Sequence, residues 1–143
     1  MTSQEITVYR EIQKNADNII KAIDTVSDKV YDDALYMQLT RQSLKCAQLY
    51  NKASEKLLEG KADYFRSGAL KDIKLKTGLQ YQTLLNTSTG HIADLLLRGC
   101  TNEILDMERT IKKNPDVGEE CRALAKQMKE IQENYVRRLK HYL

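Results

Sequence analysis

Residues 4–30 read QEITVYREIQKNADNIIKAIDTVSDKV, and the spacing of their apolar side chains settles the class of fold. Tyr9, Ile12, Ala16, Ile19, Ile23, Val26 and Val30 recur at alternating intervals of three and four. That is the seam of an amphipathic helix packed on near-parallel neighbours, and it predicts a first helix over about 4–27. After Asp28 a short turn gives way to Leu35, Leu39, Gln42, Cys46, Leu49, Ala53 and Leu57 in the same register. This second helix closes at Gly60, a residue suited to a helix C-cap. A turn this short makes the two helices an antiparallel hairpin.

The second half of the chain repeats the arrangement. Ile92, Leu96, Cys100, Ile104, Met107 and Ile111 predict a third helix over about 90–113, with Ser88 or Thr89 offering a hydroxyl to its first free N–H groups. Asn114-Pro115-Asp116 ends it, since Pro115 cannot continue the hydrogen bonding. Val117, Cys121, Leu124, Met128, Ile131, Tyr135, Leu139 and Tyr142 carry a fourth helix. The segment between the hairpins differs: it holds Gly68, Gly78 and the polar run Asn86-Thr87-Ser88-Thr89-Gly90. Leu70, Ile73, Thr77, Tyr81 and Leu84 form a weaker stripe within it and predict a shorter helix over about 69–86. Such a helix rises roughly 27 Å, enough to return the chain along the bundle. The predicted architecture is all-α, one domain over 1–143: a ferritin-like four-helix bundle of two antiparallel hairpins joined by a long crossover that contains an extra short helix.

Composition agrees with this class. The chain has 143 residues, 41% apolar and 30% charged, with six Gly and one Pro, which leaves little of the turn chemistry that a many-stranded β-fold requires. No apolar run approaches a membrane span, and Met1-Thr2-Ser3-Gln4-Glu5 lacks the pattern of a signal peptide. Cys46, Cys100 and Cys121 are odd in number and widely spaced, so reduced, buried thiols and a cytoplasmic setting are expected. The net charge is +3, and its excess is confined to 61–76, where Lys61, Arg66, Lys71, Lys74 and Lys76 stand. No nucleic-acid motif accompanies that patch, which reads as a solvated connection, so a nucleic-acid partner is disfavoured.

Candidate chemistry is sparse. A dinuclear metal centre in such a bundle needs Glu-x-x-His on two helices, yet none of the ten Glu has His three residues on, and only two His occur. No phosphate-binding glycine loop, nucleophile elbow or zinc-protease motif is present. No metal and no cofactor are expected. Gln42 and Glu103 lie about equally far from the starts of the second and third helices, so a parallel placement of those helices predicts a buried polar pair that fixes register. His91 and Asp94 share a face at the start of the third helix. A single crossover brings them to the same end of the bundle as His141, Asp28 and the first turn, the weak candidate for a divalent metal. Eight Tyr against one Phe and no Trp mark the chain, and several of the Tyr fall on seams.

The stretch Ser88-Thr89-Gly90-His91-Ile92-Ala93-Asp94-Leu95-Leu96-Leu97-Arg98-Gly99-Cys100 resembles a segment of small bacterial ferritin-like bundle proteins that lack the di-iron ligand motifs. There a Ser-rich cap leads into His-Ile-Ala-acid, several apolar residues and a Gly-Ser pair; Cys100 replaces that Ser. The resemblance implies a ferritin-like fold without an assigned activity. Gly99, lacking a Cβ, is expected to permit close approach of a neighbouring helix. The resulting functional expectation is a non-enzymatic bundle acting through contacts with a protein partner or with itself as a homodimer, since long seamed helices commonly leave an apolar edge. The alternative is a ligand-binding or degenerate metal-binding bundle.

Overall fold

The computed structural model describes residues 1–63, 78, 79, 83 and 86–143. Four long helices account for most of them: α1 (Ser3–Val26), α2 (Asp33–Glu59), α3 (Thr89–Lys113) and α4 (Glu119–Leu139), with single 3-10 turns at Ser27–Lys29 and Lys140–Tyr142. They pack as an all-α bundle. Gly78, Leu79 and Thr83 are helical and lie within the expected crossover helix over 69–86, most of which is outside the described residues. Of the basic cluster, Lys61 is described and exposed; Arg66, Lys71, Lys74 and Lys76 lie outside.

The helix ends follow from their caps. Thr2 accepts a hydrogen bond from Glu5 N at 3.1 Å while the Glu5 carboxylate accepts from Thr2 N at 3.0 Å, a reciprocal box at the start of α1. Asp32 caps α2 through Leu35 N, and Ser88 caps α3 through His91 N. Replacing Thr2 with Ala is expected to destabilise the fold by about 1 kcal/mol, read as a lower urea midpoint; an unchanged midpoint would show that the box contributes nothing. At the end of α2 Gly60 is the C-cap, as its position predicts, and the left-handed residue is the one after it. Gly60 keeps φ −81°, and Lys61 takes the left-handed conformation, φ 55°. Ala62 N donates to Leu57 O at 2.8 Å and Lys61 N to Leu58 O at 3.0 Å, the paired bonds that finish a helix. Gly60 serves a different need: a Cβ there would stand 2.9 Å from Met1 Sδ.

Contacts at the two ends fix the helix directions. At one end Gln4 Oε1 accepts from Asp116 N and Glu5 Oε2 from Gly118 N, while Lys56 donates to Glu120 at 2.6 Å. The start of α1, the finish of α2, the finish of α3 and the start of α4 therefore meet there. At the other end Gly90 lies against the carbonyl of Tyr142, and Ala34 and Met37 share a groove with Arg138 and Tyr142. α1 and α4 run one way, α2 and α3 the other, and the hairpins are joined between opposite ends. Around the bundle α1 touches α2, α3 and α4, and α4 also touches α3 and, least closely, α2. Ile12, Leu39, Leu49, Ile92, Met107, Met128 and Leu139 are fully buried along its axis, on the seams that the spacing predicts. Among the described residues no helix is long and apolar enough to cross a membrane.

Candidate functional site

Halfway along the bundle the apolar axis gives way to polar side chains from all four helices. Asn15 on α1 and Gln132 on α4 are fully buried, and Gln132 Nε2 donates to Asn15 Oδ1 at 2.9 Å across the middle of the molecule. Asn15 Nδ2 in turn donates to the backbone and carboxylate oxygens of Glu11 at 2.8 and 3.0 Å. Gln13, also fully buried, donates to Ser54 Oγ on α2 at 2.8 Å. Neither Asn15 nor Gln132 stands on a predicted seam: each falls beside one. A helix with neighbours on two sides buries a stripe wider than its seam, so the flanking positions go inside too.

The expected Gln42 and Glu103 pair belongs to this level. Gln42 is buried and its amide donates to Cys46 Sγ at 3.8 Å. The Glu103 carboxylate, half-buried on α3, acts electrostatically on Cys46, Cys100 and Tyr135. Gln42 and Glu103 thus both act on Cys46, one by a hydrogen bond and the other by its charge. Burial, followed by the field of Glu103, raises Cys46 to about 12 from its ordinary 9.0 and Cys100 upward as well, while Tyr135 is raised by burial and then by Cys100, Cys46 and Glu103. Cys121, nearer the α1 start, is raised to about 11, chiefly by burial. Thiols held neutral in this way lack the thiolate that nucleophilic catalysis and metal ligation require.

A cavity of about 60 Å³ opens beside this level, lined among others by Asn18, Leu79, Gly99, Cys100, Glu103 and Tyr135. It has room for a few waters. Gly99 gives onto space: a Cβ there would meet no atom of the described residues within 4 Å. Among the described residues, then, none makes the close approach expected at Gly99. Tyr135 Oη is buried without a hydrogen-bond partner among the described residues.

The two-histidine end is assembled as the helix directions require, with His91 near the start of α3, His141 in the final 3-10 turn and the α1–α2 turn together. Asp94, however, is engaged by Arg98, whose Nε lies 3.0 Å from both carboxylate oxygens. Its i,i+4 cation is the nearer charge partner. Among the described residues no group of three His, Cys, Asp or Glu is placed to hold a metal ion.

The outer surface carries a feature that the inner seams overshadow in the sequence. On α2, Met37, Leu44 and Leu58 are 55%, 61% and 59% exposed. They stand at multiples of seven from one another, with Asn51 completing the series, directly opposite the buried row Leu35, Leu39, Gln42, Cys46 and Leu49. Seven-residue spacing on an exposed face was there to be read, but composition alone gives no sign of which of two stripes on a helix faces inward.

No protein family, no curated protein and no solved structure matches this chain.

Proposed function

We propose that the chain is a non-enzymatic, ferritin-like four-helix bundle of the cytoplasm that acts by contact with another polypeptide through the outward face of α2. The ferritin-like reading is supported by the helix directions, which require one connection between opposite ends. The observation that carries the function is the exposed row Met37, Leu44 and Leu58. Single exposed apolar residues are ordinary on a protein surface, whereas a row in heptad spacing is the form of a helix waiting for a second helix. The interior layer supports the non-enzymatic part: its amide donors are spent on Asn15, Ser54, Cys46 and Glu11, and its thiols are held neutral.

A photo-crosslinking amino acid in place of Leu44 is expected to give a discrete covalent adduct in living cells. The same group in place of Arg109, exposed on α3, is expected to give none, and Leu58→Glu in the Leu44-labelled chain is expected to suppress the adduct. Equal labelling at both positions would remove the α2 face from consideration. Circular dichroism of each variant checks that the fold is retained, as surface substitutions move stability by about 0.5 kcal/mol or less.

A further inference from the structure

The charges beside the exposed row are unevenly placed along α2. Arg41 and Glu55 are both exposed, lie fourteen residues apart and therefore stand on one flank of the row. Each is seven residues from Gln48, which is exposed between them. Neither makes an ion pair with another described residue. Met37 and Leu58 are likewise nearly equidistant from Gln48, on either side.

Two grooves lie between α2 and α4, on either side of Gln48. One holds Met37 and Arg41 with Arg138; the other holds Lys52, Glu55 and Lys56 with Glu120. A twofold axis through Gln48, perpendicular to α2, would lay each groove of one copy over the other groove of a second copy. Arg41 would then face Glu55 twice over, and Met37 would meet Leu58. A parallel pairing would set Arg41 against Arg41 and Glu55 against Glu55.

We infer that the occupant of this face is a second copy of the chain, bound antiparallel along α2 about a twofold axis at Gln48. This rests on the reading of the α2 face as the contact surface. An isologous contact of this kind requires a surface complementary to itself under the twofold, which is what the Arg41 and Glu55 placement supplies. The row from Met37 to Leu58 covers roughly 30 Å of helix at about 1.5 Å per residue, and a strip about 10–12 Å wide gives on the order of 350 Å² per copy. A stable interface buries about 800 Å² per partner, so association is weak and shows at hundreds of micromolar.

Sedimentation of the full chain tests this with five variants. Dimer is expected at about 0.5 mM, within the range in which so weak an association shows. Arg41→Glu and Glu55→Arg are each expected to weaken it about tenfold, because each turns two attractive pairs repulsive. The double variant R41E/E55R is expected to restore it to within about threefold, and an equimolar mixture of the two single variants to form the heterodimer. Gln48→Cys is expected to give a disulfide-linked dimer, while the native thiols are buried. A double variant no better than the singles would overturn the antiparallel pairing. A dimer indifferent to Leu44→Glu would overturn both the pairing and the α2 surface. A wild-type chain that stays monomeric while Leu44 still crosslinks to a different polypeptide would overturn the second copy alone.

Discussion

Raising the pH from 8 to 11 is expected to remove about 7 kcal/mol of folding stability from Cys46, Cys100 and Tyr135 together. All three are buried and have their proton affinities raised by burial first and by the charge of Glu103 in addition. The folded chain keeps these protons after the unfolded chain has begun to lose its own. Their contribution is complete below the ordinary thiol and phenol values and is lost as the pH rises toward the folded ones. At pH 11 the unfolded thiols lie about two units, and the phenol about one, above their ordinary pKa, at about 1.4 kcal/mol per unit. Tyr9 and Cys121 are raised too and act in the same direction. Since domains of this size are stable by about 5–15 kcal/mol, helix circular dichroism followed in urea should show the midpoint falling steeply above pH 9. A midpoint that is flat to pH 11 would mean that these groups are far more hydrated than their burial implies.

The buried amides give the second large effect. Asn15→Leu leaves Gln132 Nε2 without its acceptor, and Gln132→Met leaves Asn15 Oδ1 without its donor. Each single change is expected to cost about 2–3 kcal/mol, the penalty of a buried polar group deprived of its partner. The double variant N15L/Q132M removes both polar groups and replaces them with side chains of similar size. Its stability is expected within about 1 kcal/mol of wild type, a coupling of roughly 3 kcal/mol in a double-mutant cycle. Glu11 tolerates the loss of Asn15 Nδ2, because its carboxylate still has Lys14 at 3.4 Å. Additive losses in the cycle would show that the two amides do not act as a pair.

The apolar seams carried most of the fold in plain sight. Tyr9, Ile12 and Ile19, and their counterparts Ile92, Leu96 and Met107, are buried where a three-four repeat puts them. The length of the segment between Gly60 and Ser88 was sufficient to anticipate that the hairpins join at opposite ends. Ser88 caps α3 for the reason its hydroxyl suggests. What escaped the sequence depended on neighbours. Asn15 and Gln132 are polar and flank their seams, so periodicity assigns them to solvent; only the presence of helices on both sides encloses them. The left-handed turn falls on Lys61, a residue type that gives no sign of it, while Gly60 before it keeps φ −81°. The space beside Gly99 is likewise set by what packs there, which the sequence around it does not show. Asp94 had two i-spaced candidates, His91 and Arg98, and the cation at i+4 engages it.

The direction of the helices also divides the molecule mechanically. Each hairpin closes on itself through a short turn, whereas the attachments between hairpins are separate: Gln4 and Glu5 to the α3–α4 turn, Asn15 to Gln132, and Lys56 to Glu120. The apolar core crosses the same plane as one cluster of side chains from all four helices, so the hairpins are held together by burial as well as by these polar links. Parting them would open the amides at the centre of the bundle and leave the outward row of α2 where it was.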